Sequence, residues 1–135
     1  MKRMILGLSA ALFLTGAAMT GALAADPAKT MDTTAGKVWT GVGDMTLYTF
    51  DKDTKGAAMS ACTGKCIEAW PPFLATAADK AEGDWTIVDG TDKDGKPIKL
   101  WAYEGWPLYY YVKDAAPGDV TGDGVGKVWH VAKAE

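Results

Sequence analysis

The chain has 135 residues, 48% hydrophobic and 23% charged, which fits one small globular domain and argues against wholesale disorder. Its 14 basic residues are outnumbered by 17 acidic ones, and Arg3 is the single arginine, so sign and donor geometry both argue against a nucleic-acid partner. The single histidine would have to serve any hydrolytic triad alone.

Met1 to Ala24 reads as an export signal. Lys2 and Arg3 form a positive start, Met4 to Met19 is apolar and small, and Ala22-Leu23-Ala24 supplies a small-x-small cleavage pattern. No cysteine lies near that cut to take a lipid, so the expected product is soluble, periplasmic or secreted, with no stable membrane span after cleavage. Residues 25–36 are small and polar and read as a flexible lead-in; residues 37–135 read as one β domain.

From Lys37 onward, short aromatic and β-branched runs alternate with Gly, Asp and Pro. Val38-Trp39-Thr40 and Met45 to Phe50 flank Gly41-Val42-Gly43-Asp44, a hairpin signal. Cys66 to Trp70 suits one or two helical turns before Pro71-Pro72, and Ala75 to Ala81 is a weaker helical candidate. Asp84 to Val88, Ile98 to Tyr103, Pro107 to Val112 and Val128 to Val131 complete the strand candidates. In Ile98 to Tyr103 the alternation predicts one packed face and one aromatic face, carrying Trp101 and Tyr103. The expected core includes Trp39, Leu47, Trp70, Trp85, Leu100, Leu108 and Trp129.

The chain also repeats itself. Leu47 to Asp53 aligns with Leu108 to Asp114 at an offset of 61, and each copy is followed by a Gly-containing loop and a tryptophan, Trp70 or Trp129. The fold expected is mainly β: a small antiparallel domain of two similar β units with one or two short helices. The repeated element is Tyr-x-aromatic-x-x-Asp: Tyr48, Phe50 and Asp53, then Tyr109, Tyr111 and Asp114. Together with Ser60-x-Cys62-x-Gly64-x-Cys66, Trp70-Pro71-Pro72, Gly105-x-Pro107-Leu108-Tyr109 and Pro117-Gly118-Asp119, it resembles a family of secreted bacterial repeats with a Yx(FWY)xxD motif, described as predicted lipoproteins of unknown function. The resemblance implies an exported domain and supplies no activity.

Alternating strand side chains put Tyr48 with Phe50, and Tyr109 with Tyr111, on shared faces, leaving Asp53 and Asp114 past the strand ends. Two roles fit: core aromatics with Asp-based turns, or an aromatic shelf with a carboxylate rim for a sugar or planar ligand. Pro117 to Gly124 and Asp51 to Gly56 resemble starts of calcium loops, but the first, counted from Asp119, has His130 at its twelfth position and the second a lysine at its fifth, so both read as turns.

Cys62 and Cys66 stand four residues apart, within disulfide reach across a tight turn. In an oxidising compartment a structural bridge is the default. A redox dithiol, or a Cu(I) site formed with Met59 or His130, are the alternatives. No paired carboxylates or activated nucleophile stand out, which points away from an enzyme. The sequence therefore indicates an exported, non-enzymatic accessory or binding domain that needs no cofactor, its partner an unidentified ligand or envelope protein. A periplasmic redox or copper-handling protein centred on Cys62 and Cys66 is the alternative.

Overall fold

The computed structural model describes residues 26–134; the expected signal segment lies outside them. Strands β1 (Lys29–Thr33) and β2 (Gly36–Thr40) form one antiparallel pair, and β3 (Tyr48–Phe50) joins β7 (Trp129–Val131) in another. Strands β4 (Trp85–Thr91), β5 (Pro97–Tyr103) and β6 (Trp106–Pro107) form a three-stranded antiparallel sheet. One short helix, α1 (Lys65–Ala69), precedes Pro71-Pro72, which stop it. The mainly antiparallel β class expected from the sequence is what forms.

Two closed triangles of backbone bonds tie these strands together. Trp39 N–H donates to Ala132 O (2.9 Å), Ala132 N–H to Leu47 O (2.8 Å) and Leu47 N–H to Trp39 O (2.9 Å). Its counterpart runs from Trp101 N–H to Phe73 O (2.9 Å), Phe73 N–H to Leu108 O (2.9 Å) and Leu108 N–H to Trp101 O (3.0 Å). Each triangle takes two residues from one half of the chain and the third from the other. Between them Tyr48 and Tyr109 exchange both backbone bonds, at 2.7 and 3.0 Å, and so mark an approximate internal two-fold axis.

The same axis organises the aromatic core. Trp70 and Trp129 stack face to face, with centroids 3.7 Å apart and planes 4° from parallel. Phe50 extends the stack beyond Trp129 at 4.2 Å and Tyr111 beyond Trp70 at 4.0 Å. Tyr48 meets Trp70 edge-on at 5.4 Å, and Tyr109 meets Trp129 edge-on at 5.3 Å. All seven residues expected in the core are buried.

Four details differ from the sequence expectation. The lead-in is not irregular throughout: Lys29–Thr33 pairs in register with Gly36–Thr40, and Ala28 is buried. Gly36 at φ 96° permits the tight return, and Thr33 Oγ1 both donates to Gly36 O and accepts from Ala35 N–H. Ala75 to Ala81 is not helical, because Ala75 N–H pairs with Lys99 O and Asp79 closes a turn onto Thr76 N–H. Pro107 to Val112 is not one continuous strand: only Trp106–Pro107 pairs regularly with β5, and Tyr109 crosses to Tyr48. Finally, the aromatic face of β5 is itself largely packed, with Tyr103 left half-buried. Trp101 is buried in a second cluster with Trp39, Trp85 and Phe73, while Leu100 and Ala102 pack on the opposite face into the stack.

Candidate functional site

The motif residues form a buried, reciprocal network rather than a shelf. Tyr48 Oη donates to Asp114 Oδ2 at 2.6 Å, and Tyr109 Oη donates to Asp53 Oδ2 at 2.8 Å. Each tyrosine is thus held by the other repeat's aspartate. The remaining oxygens are engaged locally: Asp53 Oδ1 accepts Ala61 N–H at 2.6 Å, and Asp114 Oδ1 accepts Thr121 N–H at 3.0 Å and the Thr121 hydroxyl. Gly122 N–H completes the Tyr48 hydroxyl, and Ser60 Oγ completes that of Tyr109. Both tyrosine rings are fully buried, so of the two roles open to these residues the structure has core aromatics with Asp-based turns, and no shelf is open to a ligand there.

Burial sets the acid–base character of this network. Desolvation first, and the Asp114 carboxylate second, hold the Tyr48 hydroxyl far above the ordinary tyrosine range. Tyr109 is raised in the same way by burial and by Asp53, against the Ser60 hydrogen bond. Asp53 is itself raised by burial, opposed by its bonds from Ala61 and Tyr109. These groups stabilise one another; their reactive atoms face no solvent.

The cysteine sulfurs are at bonding distance, with Cα atoms 5.3 Å apart. Cys62 is buried and Cys66 half-buried at the start of α1, where Ile67 enters the core. The other copper candidates are engaged or directed elsewhere. Met59 is exposed beside Asp89, and His130 Nε2 bonds Asp51 Oδ2 at 2.8 Å on the surface of β7. Among the described residues no three of His, Cys, Asp and Glu gather as a metal-ligand set. Asp51 is a histidine partner that the sequence analysis missed, since 79 residues separate the two. Asp119 and Asp123 accept backbone N–H bonds from Ala115, Ala116 and Val131, as turn acids do.

Aromatic rings and carboxylates do meet at the surface, but elsewhere. A cleft of about 690 Å³ is floored by Trp39, Trp85, Trp101 and Tyr103. Trp85 lies 4.9 Å from Trp39 and 4.8 Å from Tyr103, centroid to centroid, in edge and tilted contacts. Asp26, Asp79, Glu82 and Asp84 stand around this floor, together with Lys80. The Trp39 indole N–H makes no well-formed hydrogen bond among the described residues, but it lies by Tyr103, ring centroids 5.1 Å apart, and favours ionisation of that hydroxyl. Burial, then the Glu104 and Asp84 carboxylates, raise Tyr103 above its ordinary value. Trp101 and Tyr103 are the residues of the aromatic face read from the sequence; the walls around them were not legible.

The model of a secreted repeat of unknown function matches the chain twice, over residues 29–73 and 90–133, roughly two thirds of its length. The chain belongs to this family. Comparison with curated proteins and with solved structures returned no match. The two family units coincide with the halves related by the internal axis, and each carries one Tyr-x-aromatic-x-x-Asp motif.

The units diverge at the cleft. Matching β2 to β5 through their triangles places Trp39 opposite Trp101, and the strand registers then align Ala28 and Gly41 with Trp85 and Tyr103. Two small residues at the end of the β1–β2 pair thus correspond to two large aromatics of the β4–β5 pair. The wall Ala78–Trp85 falls in the segment between the two family matches, so it belongs to neither repeat. A pseudo-symmetric core carries one asymmetric opening.

Proposed function

We propose that this secreted-repeat protein is an exported, non-enzymatic binding domain whose ligand docks in the cleft floored by Trp39, Trp85, Trp101 and Tyr103. The cleft carries this conclusion: its volume, about 690 Å³, suits a small molecule, and its floor is aromatic with polar groups at the edge. The groups that would attract a catalytic interpretation, Tyr48, Tyr109, Ser60, Asp53 and Asp114, are committed to one another inside the core. The domain is read as soluble and periplasmic or secreted, with its leader cut after Ala24 and no lipid attached.

The test is a thermal-stability screen of the exported protein, its start verified by intact mass, against sugars, planar heterocycles, amines and anions. A saturable rise in Tm for one class, lost when the Ala78–Asp84 wall is shortened, is the expected result. Turnover of an ester, glycoside or peptide substrate by the purified protein, with no ligand raising Tm, would contradict it.

A further inference from the structure

Charge around the cleft is one-sided. Among the side chains lining it, Asp26, Asp79, Glu82 and Asp84 outnumber one cation, Lys80, and a leader cut after Ala24 adds the Ala25 α-ammonium next to Asp26 in the chain. The ion pairs among the described residues are Lys99–Asp89 and His130–Asp51, so none of these four carboxylates is compensated by a side-chain partner. Asp79 Oδ2 is occupied by Thr76 N–H; Asp26, Glu82 and Asp84 are exposed at the rim. Asp84 and Asp26 lie near enough to the floor to oppose ionisation of Tyr103, as Glu104 does more strongly.

Resting on the binding role proposed above, we infer that the cleft takes a small organic cation, a quaternary ammonium or protonated amine on a compact apolar body. Aromatic rings attract such a cation through their electron-rich faces, and most strongly when the ring is an indole. Here three indoles, each only 5–7% exposed and otherwise packed in the core, and the half-buried Tyr103 ring line the floor, while the rim carboxylates outnumber the cations around them. An anion would meet four carboxylates. A neutral sugar would gain contact with the rings and leave those carboxylates uncompensated. The Trp39 N–H is buried beside the Tyr103 hydroxyl, so it stiffens the floor rather than offering a donor to the ligand. The asymmetry between the repeats points the same way. Where the β1–β2 pair ends at Ala28 and Gly41, the β4–β5 pair has Trp85 and Tyr103, and the acidic wall directly precedes Trp85 in the chain.

Choline and its uncharged carbon isostere 3,3-dimethyl-1-butanol separate the charge from the shape. Both are titrated into the exported protein, with tryptophan fluorescence as the readout and Tm as a fold control. Choline should bind saturably and about tenfold more tightly than the isostere. The rim double variant Glu82→Gln/Asp84→Asn should weaken choline about threefold or more, with Tm and isostere binding unchanged. Equal affinity for the two compounds would overturn the cationic ligand while leaving a binding cleft in place. Choline binding that ignores the rim variant would overturn it too, as would saturation by neither compound. In that last case the broader ligand screen decides separately whether the cleft binds at all.

Discussion

Tyr48 and Asp114, 66 residues apart, are joined by a 2.6 Å hydrogen bond inside the core, and Tyr109 returns the exchange to Asp53. Each repeat's motif is therefore completed by its sibling. With the two mixed backbone triangles and the Trp70–Trp129 stack, this makes the halves mutually dependent.

Removing either hydroxyl leaves a buried carboxylate oxygen without its donor. Tyr48→Phe and Tyr109→Phe should each lower unfolding free energy by about 1.5–3 kcal/mol, the range for hydrogen bonds to charged groups. Denaturant titration of the single and double variants checks this. The pair should depart from additivity, because both tyrosines sit on the same backbone bridge.

Alkaline pH should destabilise the fold cooperatively. Tyr48, Tyr109 and Tyr110 are all raised by burial, so the unfolded chain releases their protons first. Their contribution is fully present below the unfolded tyrosine value, near pH 10, and is lost as pH rises towards the native values. The slope approaches about 1.4 kcal/mol per pH unit for each tyrosine involved. Asp53 has the same sign at lower pH: its contribution is present below the usual carboxyl value and is lost as pH rises through its raised native value. Tyrosinate absorbance alongside circular dichroism is the measurement; those three tyrosines should titrate only as the fold is lost.

Gly122→Ala should cost about 1–3 kcal/mol by overpacking. A Cβ there would lie 2.8 Å from the Tyr48 ring and 2.9 Å from Trp70. Both rings are locked, Tyr48 by Asp114 and Trp70 within the stack, so neither can yield easily. A loss of Tm and of the near-ultraviolet signal of the stacked indoles reports it.

Much of the core was legible in the sequence because its signals are local. The motif spacing, the 61-residue offset and the tryptophans at Trp39, Trp70, Trp85 and Trp129 each declare a buried β unit. The exchange of partners was not legible, since Tyr48 with Asp53 and Tyr48 with Asp114 leave the same trace in one chain. Lys29–Thr33 was missed because small polar residues suit a loop as well as an outer strand. The cleft escaped notice because its wall, Ala78–Trp85, follows no repeat, and because carboxylates on a turn read as solvated surface.

The disulfide should be structural. Thiol counting on the exported protein under denaturing conditions should find none before reductant and two after, from Cys62 and Cys66. Replacing both by serine should cost about 2 kcal/mol, the loop-entropy value for so short a ring. Two free thiols that bind Cu(I) stoichiometrically, with affinity reduced by Met59→Ala or His130→Ala, would instead establish copper handling.

Trp70 and Trp129 are buried inside the stack, whereas Trp39, Trp85 and Trp101, buried to the same degree, line the cleft where a ligand is proposed to dock, and that difference in role is the central claim. Indole N–H resonances of the ¹⁵N-labelled exported protein, assigned by single substitutions and followed through a choline titration, test it most directly. Trp39, Trp85 and Trp101 should shift saturably along one binding curve while Trp70 and Trp129 stay fixed. Shifts confined to Trp70 and Trp129, or spread evenly over all six indoles, would contradict it.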